Sequence, residues 1–263
     1  LSKLVLGLEC GGSDGFSGIS ANPGLNLNNG TLNNLSYNIS LSRNSAGPSL
    51  IFPTYGSEFT IGAKATFPYS LLSDKDYSDP NLEDTEKYKW LEYYKLNFKG
   101  KWYTAFTDKL VLMTNAEVGY LGHYNSELGD TPVERYFVGG DGIAQFQLDG
   151  RETIGLRGYE NSGLSSTYGG TMYNKFQLEL RYSITDAPSA SIYTLGFLEA
   201  GNSYDNFTNF NPFNLKRSAG LGIRIFMPAF GLLGIDFAHG FDPLPGSNIK
   251  SGWQTHFIIG QQF

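Results

Sequence analysis

The sequence predicts an all-β chain, the wall of a transmembrane antiparallel β-barrel with about ten strands. Three observations predict it. The first is the last segment: Trp253, Thr255, Phe257, Ile259 and Phe263 share one strand face, and Gln254, His256, Gly260 and Gln262 share the other. A frayed soluble end gains nothing from a terminal aromatic, whereas a closing strand sets it against lipid. The second is that similar alternating segments recur along the chain, joined by connections that are short and long in turn. The third is composition. Aromatic residues make up 15% of the chain and charged residues only 17%, with 33 glycines, a mixture that suits aromatic girdles and tight turns. The mean hydropathy of −0.25 does not oppose this, because every second residue of a barrel strand is polar.

The strands are expected in order. Leu4, Leu6 and Leu8 are in phase over 1–10, and Leu35, Tyr37, Ile39 and Leu41 over 34–42. Phe59, Ile61, Ala63, Ala65, Phe67 and Tyr69 alternate with Glu58, Thr60, Gly62, Lys64 and Thr66. Strands are expected at 92–106 and 110–122. In 172–184, Phe176, Leu178, Leu180, Tyr182 and Ile184 oppose Lys175, Gln177, Glu179, Arg181 and Ser183. Strands near 190–203, 215–227, 231–241 and 250–263 complete the set, and no helix is expected. The short connections are 107–109, 186–188 and 228–230; the long ones are 11–33, 70–89, 123–170, 204–214 and 242–249. This is the asymmetry of periplasmic turns and extracellular loops. The segment 45–56 is long for a turn, yet Pro48, Pro53 and Gly56 give it an ordered look. A soluble sandwich would have to bury Lys64, Lys95, Lys99, Glu117, Lys175, Glu179, Arg181, Glu199, Arg224 and Asp236 on one strand face. That is costly in a dry core and harmless on the wall of a wet lumen.

Other chemistry is thin. The net charge of −6, with no basic stripe, argues against a nucleic-acid binder. Cys10 stands alone and follows Leu8-Glu9, without the small residue of a lipidation site, so it reads as a strand-end thiol. His123, His239 and His256 do not sit at metal-ligand spacing. Ser218 and His239 fall on opposite faces and no nucleophile elbow occurs, so neither an enzyme nor a cofactor is expected. Gly139-Gly140-Asp141-Gly142 reads as a turn.

The 48 residues of 123–170 form the longest connection, and connections of that length are usually functional. They contain Leu156-Arg157-Gly158-Tyr159-Glu160. A loop-tip arginine inside a lumen calls for a carboxylate, and parity offers Glu179 and Glu199 on the first two strands after the loop. Glu199 ranks first, since Lys175 and Arg181 compete for Glu179. Gly158 permits a turn, and Tyr159 supplies an apolar plug with a polar tip.

Leu156-Arg157-Gly158-Tyr159 resembles the lumen-folded loop motif of BamA-type outer-membrane assembly proteins and of their relatives in two-partner secretion and organelle import. Five strands follow the loop, as in that family's sixteen-stranded barrel. Phe197-Leu198-Glu199-Ala200-Gly201 resembles a second family signature, and Phe257-Ile258-Ile259-Gly260-Gln261-Gln262-Phe263 its closing strand. The resemblance implies that 1–263 holds the last ten of sixteen strands, with the first six strands, the periplasmic POTRA domains and an export signal outside this sequence. It implies a bacterial outer-membrane location, with outer-membrane lipids, nascent β-barrel clients and accessory lipoproteins as partners. The expected work is insertion of clients through a weak seam between first and last strands, at which Phe257, Ile259, Gly260 and Phe263 act. The alternative is a polypeptide-secreting pore of the same superfamily; a small-solute porin leaves the Arg157 motif unexplained. A charge exchange between Arg157 and Glu199 is expected to restore in part what loss of Arg157 removes.

Overall fold

The computed structural model describes residues 2–14, 31–143, 150–187, 190–228 and 230–260. The strands are β1 (Ser2–Asp14), β2 (Thr31–Asn44), β3 (Gly47–Pro48), β4 (Pro53–Thr66), β5 (Tyr94–Thr107), β6 (Leu110–Gly122), β7 (Tyr136–Val138), β8 (Glu152–Ile154), β9 (Met172–Ala187), β10 (Ala190–Tyr204), β11 (Lys216–Met227), β12 (Gly231–Pro243) and β13 (Lys250–Gly260). Ten of them form one antiparallel meander in the order β1-β2-β4-β5-β6-β9-β10-β11-β12-β13, and β3 pairs with β4. Each wall strand is hydrogen-bonded to its neighbour in the chain, apart from the small insertions. Among the described residues no pairing joins β1 to β13.

Alternation produces two unlike faces. Phe176, Leu178, Leu180, Tyr182 and Ile184 of β9 all point outward and are exposed, while Glu179 between them is buried. The same holds on β10, where Tyr193, Leu195, Phe197 and Glu199 are buried and Leu198 is exposed. An outer surface that presents Ile39, Ile61, Leu96, Phe176, Leu221 and Trp253 to its surroundings suits lipid and would be a liability in water.

The inner face is filled at both ends. At the short-turn end, the 45–52 connection tucks Phe52 inward against Tyr193, at 5.4 Å between ring centroids, with Val111, Met113, Leu195 and Phe197 around it. Ser49 Oγ accepts from the backbone N–H groups of Ile51 and Phe52, which shapes that turn. Its unusual length therefore has a purpose. At the long-loop end, the 67–93 connection is not wholly irregular: it holds a 3-10 turn (Tyr69–Leu72) and one helical turn, α1 (Asp84–Lys87). Its Tyr88, Leu91 and Tyr93 pack with buried residues of the 123–170 loop.

Candidate functional site: the loop seat inside the barrel

The 123–170 loop leaves β6 and returns to the adjacent β9, so both its ends are fixed side by side. Leu121 donates its N–H to the Thr171 carbonyl at 2.7 Å, and Tyr136 and Gly170 exchange backbone hydrogen bonds. The loop is more ordered than its sequence suggests. β7 and β8 pair in parallel, Gly139 N–H reaches the Ile154 carbonyl and Gly140 N–H the Leu156 carbonyl. Tyr136, Val138, Ile154, Leu156, Tyr159 and Leu164 then bury together against Tyr93, Leu121 and Tyr173 of the wall side. This small core aims the next residue, Arg157, at the inner wall.

Arg157 is held by three carboxylates from three strands. Glu199 on β10 takes the backbone N–H at 2.7 Å, Nε at 3.0 Å and Nη2 at 2.8 Å. Glu179 on β9 takes Nη2 at 3.0 Å, and Asp236 on β12 takes Nη1 at 2.9 Å. The guanidinium lies 3.4 Å from the Phe197 ring centroid, a stacking that only a planar cation makes well. Two wall arginines complete the cluster. Arg181 donates to Glu179 at 2.7 Å, and Arg224 donates to both oxygens of Asp236 at 2.6 and 2.7 Å. Three guanidiniums thus face three carboxylates. Burial alone would depress the Arg157 pKa, but Glu199, Glu179 and Asp236 outweigh it and raise it above the ordinary arginine range. Buried ion pairs add little net stability, yet a missing member is costly, so such a cluster dictates one position of the loop.

The other motif residues divide the work. Leu156 is fully buried. Gly158 has φ +87°, and a Cβ there would lie 2.8 Å from Ser218 Cβ and 3.0 Å from the Gly240 nitrogen. Conformation and space both require glycine. Its N–H donates to His256 Nε2 at 2.9 Å. Tyr159 is buried, with its hydroxyl donating to the Arg217 carbonyl at 2.7 Å, and desolvation pushes its pKa up to about 12. Glu160 is exposed and contributes its carbonyl, which accepts from Gly163 N–H.

A second ionic anchor sits at the β4–β5 side of the lumen. Buried Lys95 on β5 lies 2.8 Å from Glu152 and 3.3 Å from Glu134, both in the loop, and also donates to the Glu134 carbonyl at 2.8 Å. Lys64 on β4 reaches Glu134 at 2.9 Å. The Tyr136 ring covers the Lys95 ammonium at 4.7 Å, and its hydroxyl donates to Asn97 at 2.7 Å. Sequence reading placed the lysines on the lumen face but assigned them no partner. It also missed Asp236, Arg224 and His256 as neighbours of the motif.

A barrel-like sheet with an arginine-tipped loop seated on inner-wall carboxylates narrows the comparison sharply. A family model described as the Omp85 superfamily domain matches residues 13–263. The chain belongs to the Omp85 superfamily. Among solved structures it is similar to BamA from Haemophilus ducreyi lacking POTRA domains 1-3, with a TM-score of 0.61 and 17% identity over 87% of this chain. The alignment covers 42% of that chain, so the present chain spans well under half of the solved relative. No curated protein matches the chain.

The last described strand of this Omp85 fold is β13. Phe257 and Ile259 are strongly exposed on its outer face, paired in register with Ile235 and Leu233 of β12. Gly260 pairs with Leu232, and a Cβ built on it would meet nothing within 4 Å. Its glycine is therefore not required by inward packing. Phe263 and the side chain of Cys10 lie outside the described residues.

Proposed function

We propose that this chain is part of an insertion barrel of the bacterial outer membrane, working on nascent β-barrel proteins without covalent chemistry or a cofactor. The observation that carries the reading is the seat of Arg157 on Glu199, Glu179 and Asp236 in a sheet of Omp85 type. Where the first and last strands of the complete barrel part, backbone N–H and C=O groups are displayed, and a client strand can add there by β-augmentation. The loop ties β9, β10 and β12 together through Arg157 and reaches β11 through the Tyr159 hydroxyl. The ten wall strands are read as the last ten of sixteen, with six more strands and periplasmic POTRA domains belonging to the same barrel. Outer-membrane lipids, unfolded barrel clients and accessory lipoproteins are the partners of this reading.

The test is reconstitution of the complete protein in liposomes with an unfolded β-barrel client. Faster appearance of folded, protease-protected client than in empty liposomes supports insertion. Passage of an extended polypeptide into the vesicle, without faster client folding, replaces it with the secretion reading.

A further inference from the structure

Arg157 and Gly158 are consecutive, yet they address different parts of the wall. The Arg157 side chain binds β9, β10 and β12, whereas the Gly158 N–H turns to β13 and donates to His256 Nε2 at 2.9 Å. A backbone N–H can only donate, so Nε2 is the acceptor and the imidazole proton belongs on Nδ1. His256 is 5% exposed and stands in register with Asp236, the carboxylate that Arg157 and Arg224 share. The fit is tight on both sides of the bond. The Gly158 carbonyl lies against Gly240, where even a Cβ would collide with it, and Ser251 of β13 closes in beside the same glycine. Gly158 therefore cannot slide along the wall while Arg157 stays seated.

The strand it reaches is the last described strand of the sheet. β13 is paired with β12, and among the described residues its other side has no strand partner. A strand that borders a barrel seam frays more readily than an interior strand. A tie from the loop to that strand adds a restraint to the β12–β13 ladder.

We propose that His256 is a positioning residue that couples the seat of the 123–170 loop to β13, the last described strand. With Arg157 docked, the Gly158 N–H holds β13 through His256; when the loop tip lifts, the acceptor is vacated and β13 loosens from its seam side inward. The consequence for client insertion rests on the function proposed above, whereas the coupling itself does not.

The experiment measures hydrogen exchange of the 250–260 amides in the complete protein in lipid vesicles, without client. His256→Leu removes the acceptor and fills much of the ring's space, while His256→Gln restores an acceptor oxygen. Loss of one such bond is expected to speed β13 exchange about three- to tenfold in H256L, with H256Q close to wild type. R157A, which leaves every β13 residue intact, is expected to speed the same amides. Combining R157A with H256L is expected to add little to either alone, because the two act through one contact. Equal acceleration in H256Q and H256L, or unchanged β13 exchange in R157A, overturns the coupling; the R157A arm decides even if H256L fails to fold. Client folding measured on the same samples judges the insertion reading separately.

Discussion

Arg157 and Glu199 are joined by three hydrogen bonds, one from the backbone N–H and two from the guanidinium. The other two carboxylates have wall arginines of their own, Arg181 for Glu179 and Arg224 for Asp236. Glu199 has Lys175 only at 4.0 Å. Glu199 is thus the carboxylate whose charge depends most on the loop, and the loop is the group whose position depends most on Glu199.

Replacing Arg157 with Ala should release the loop while the sheet stays folded. Leaving Glu199 buried and poorly paired costs about 3–5 kcal/mol. Protease cleavage within the loop should increase, with the β-sheet circular dichroism signal preserved. Arg157→Lys should rescue little, since an ammonium cannot fork between three carboxylates or stack on Phe197. Unchanged cleavage in R157A would remove the anchoring role.

Exchanging the charges, Arg157→Glu with Glu199→Arg, was expected from sequence to restore the pair in part. Tertiary structure reverses that expectation. A carboxylate at 157 would face Glu179 and Asp236, and an arginine at 199 would stand beside Lys175. The double variant should lose loop protection as fully as R157A. Protease protection in both, compared side by side, checks this.

Lys95→Met should loosen the loop at its other end. Among the described residues Glu152 would keep only Lys99 at 4.0 Å, while Glu134 would retain Lys64. We expect faster hydrogen exchange over β7 and β8, a cost of about 3 kcal/mol to that docking, and an undisturbed Arg157 seat. Acceleration confined to 156–160 would contradict the two-anchor arrangement.

Gly158→Ala meets both a left-handed backbone and a wall without space. The backbone penalty alone is about 1–2 kcal/mol, and the approach to Gly240 nitrogen cannot be relieved by a side-chain rotation. Loop protection should fall nearly as far as in R157A. Truncating Ser218 to Gly should recover only part of it.

Gly260→Val should be tolerated by the fold, because the position is open. A β-branched residue there favours strand pairing, so under the seam reading client insertion slows while thermal stability holds or rises. Deleting Phe263 is expected on sequence grounds to slow assembly of the protein into the membrane more than it lowers the stability of folded barrel. Equal assembly rates with and without Phe263 would discard the closing-strand argument.

The wall was readable from the residues because strand alternation is local. Phe176, Leu178 and Leu180 declare one face and Glu179 the other without knowledge of any neighbour. Parity also placed Glu199 and Glu179 inside and competition ranked them, since Lys175 and Arg181 are near in sequence. Asp236 was on the same inner face but lies two strands beyond Glu199, and only the curvature of the sheet brings it to the same guanidinium. The parallel β7–β8 pair escaped notice because three-residue strands carry no period. Phe52 escaped because a single apolar residue in a turn gives no sign of the cavity that it fills.

The sequence by itself determined that the chain is a meander of ten amphipathic strands, which side of each faces inward, and which loop residue needs an inner-wall carboxylate. These follow from covalent geometry and from the cost of an unmatched charge, both properties of short segments. Only the tertiary structure decided how many carboxylates share Arg157, that Lys95 holds the opposite end of the loop, and that Gly158 is tied to β13 through His256. Those choices depend on distances across a curved sheet, where a residue's neighbours are set by register and curvature rather than by its place in the chain.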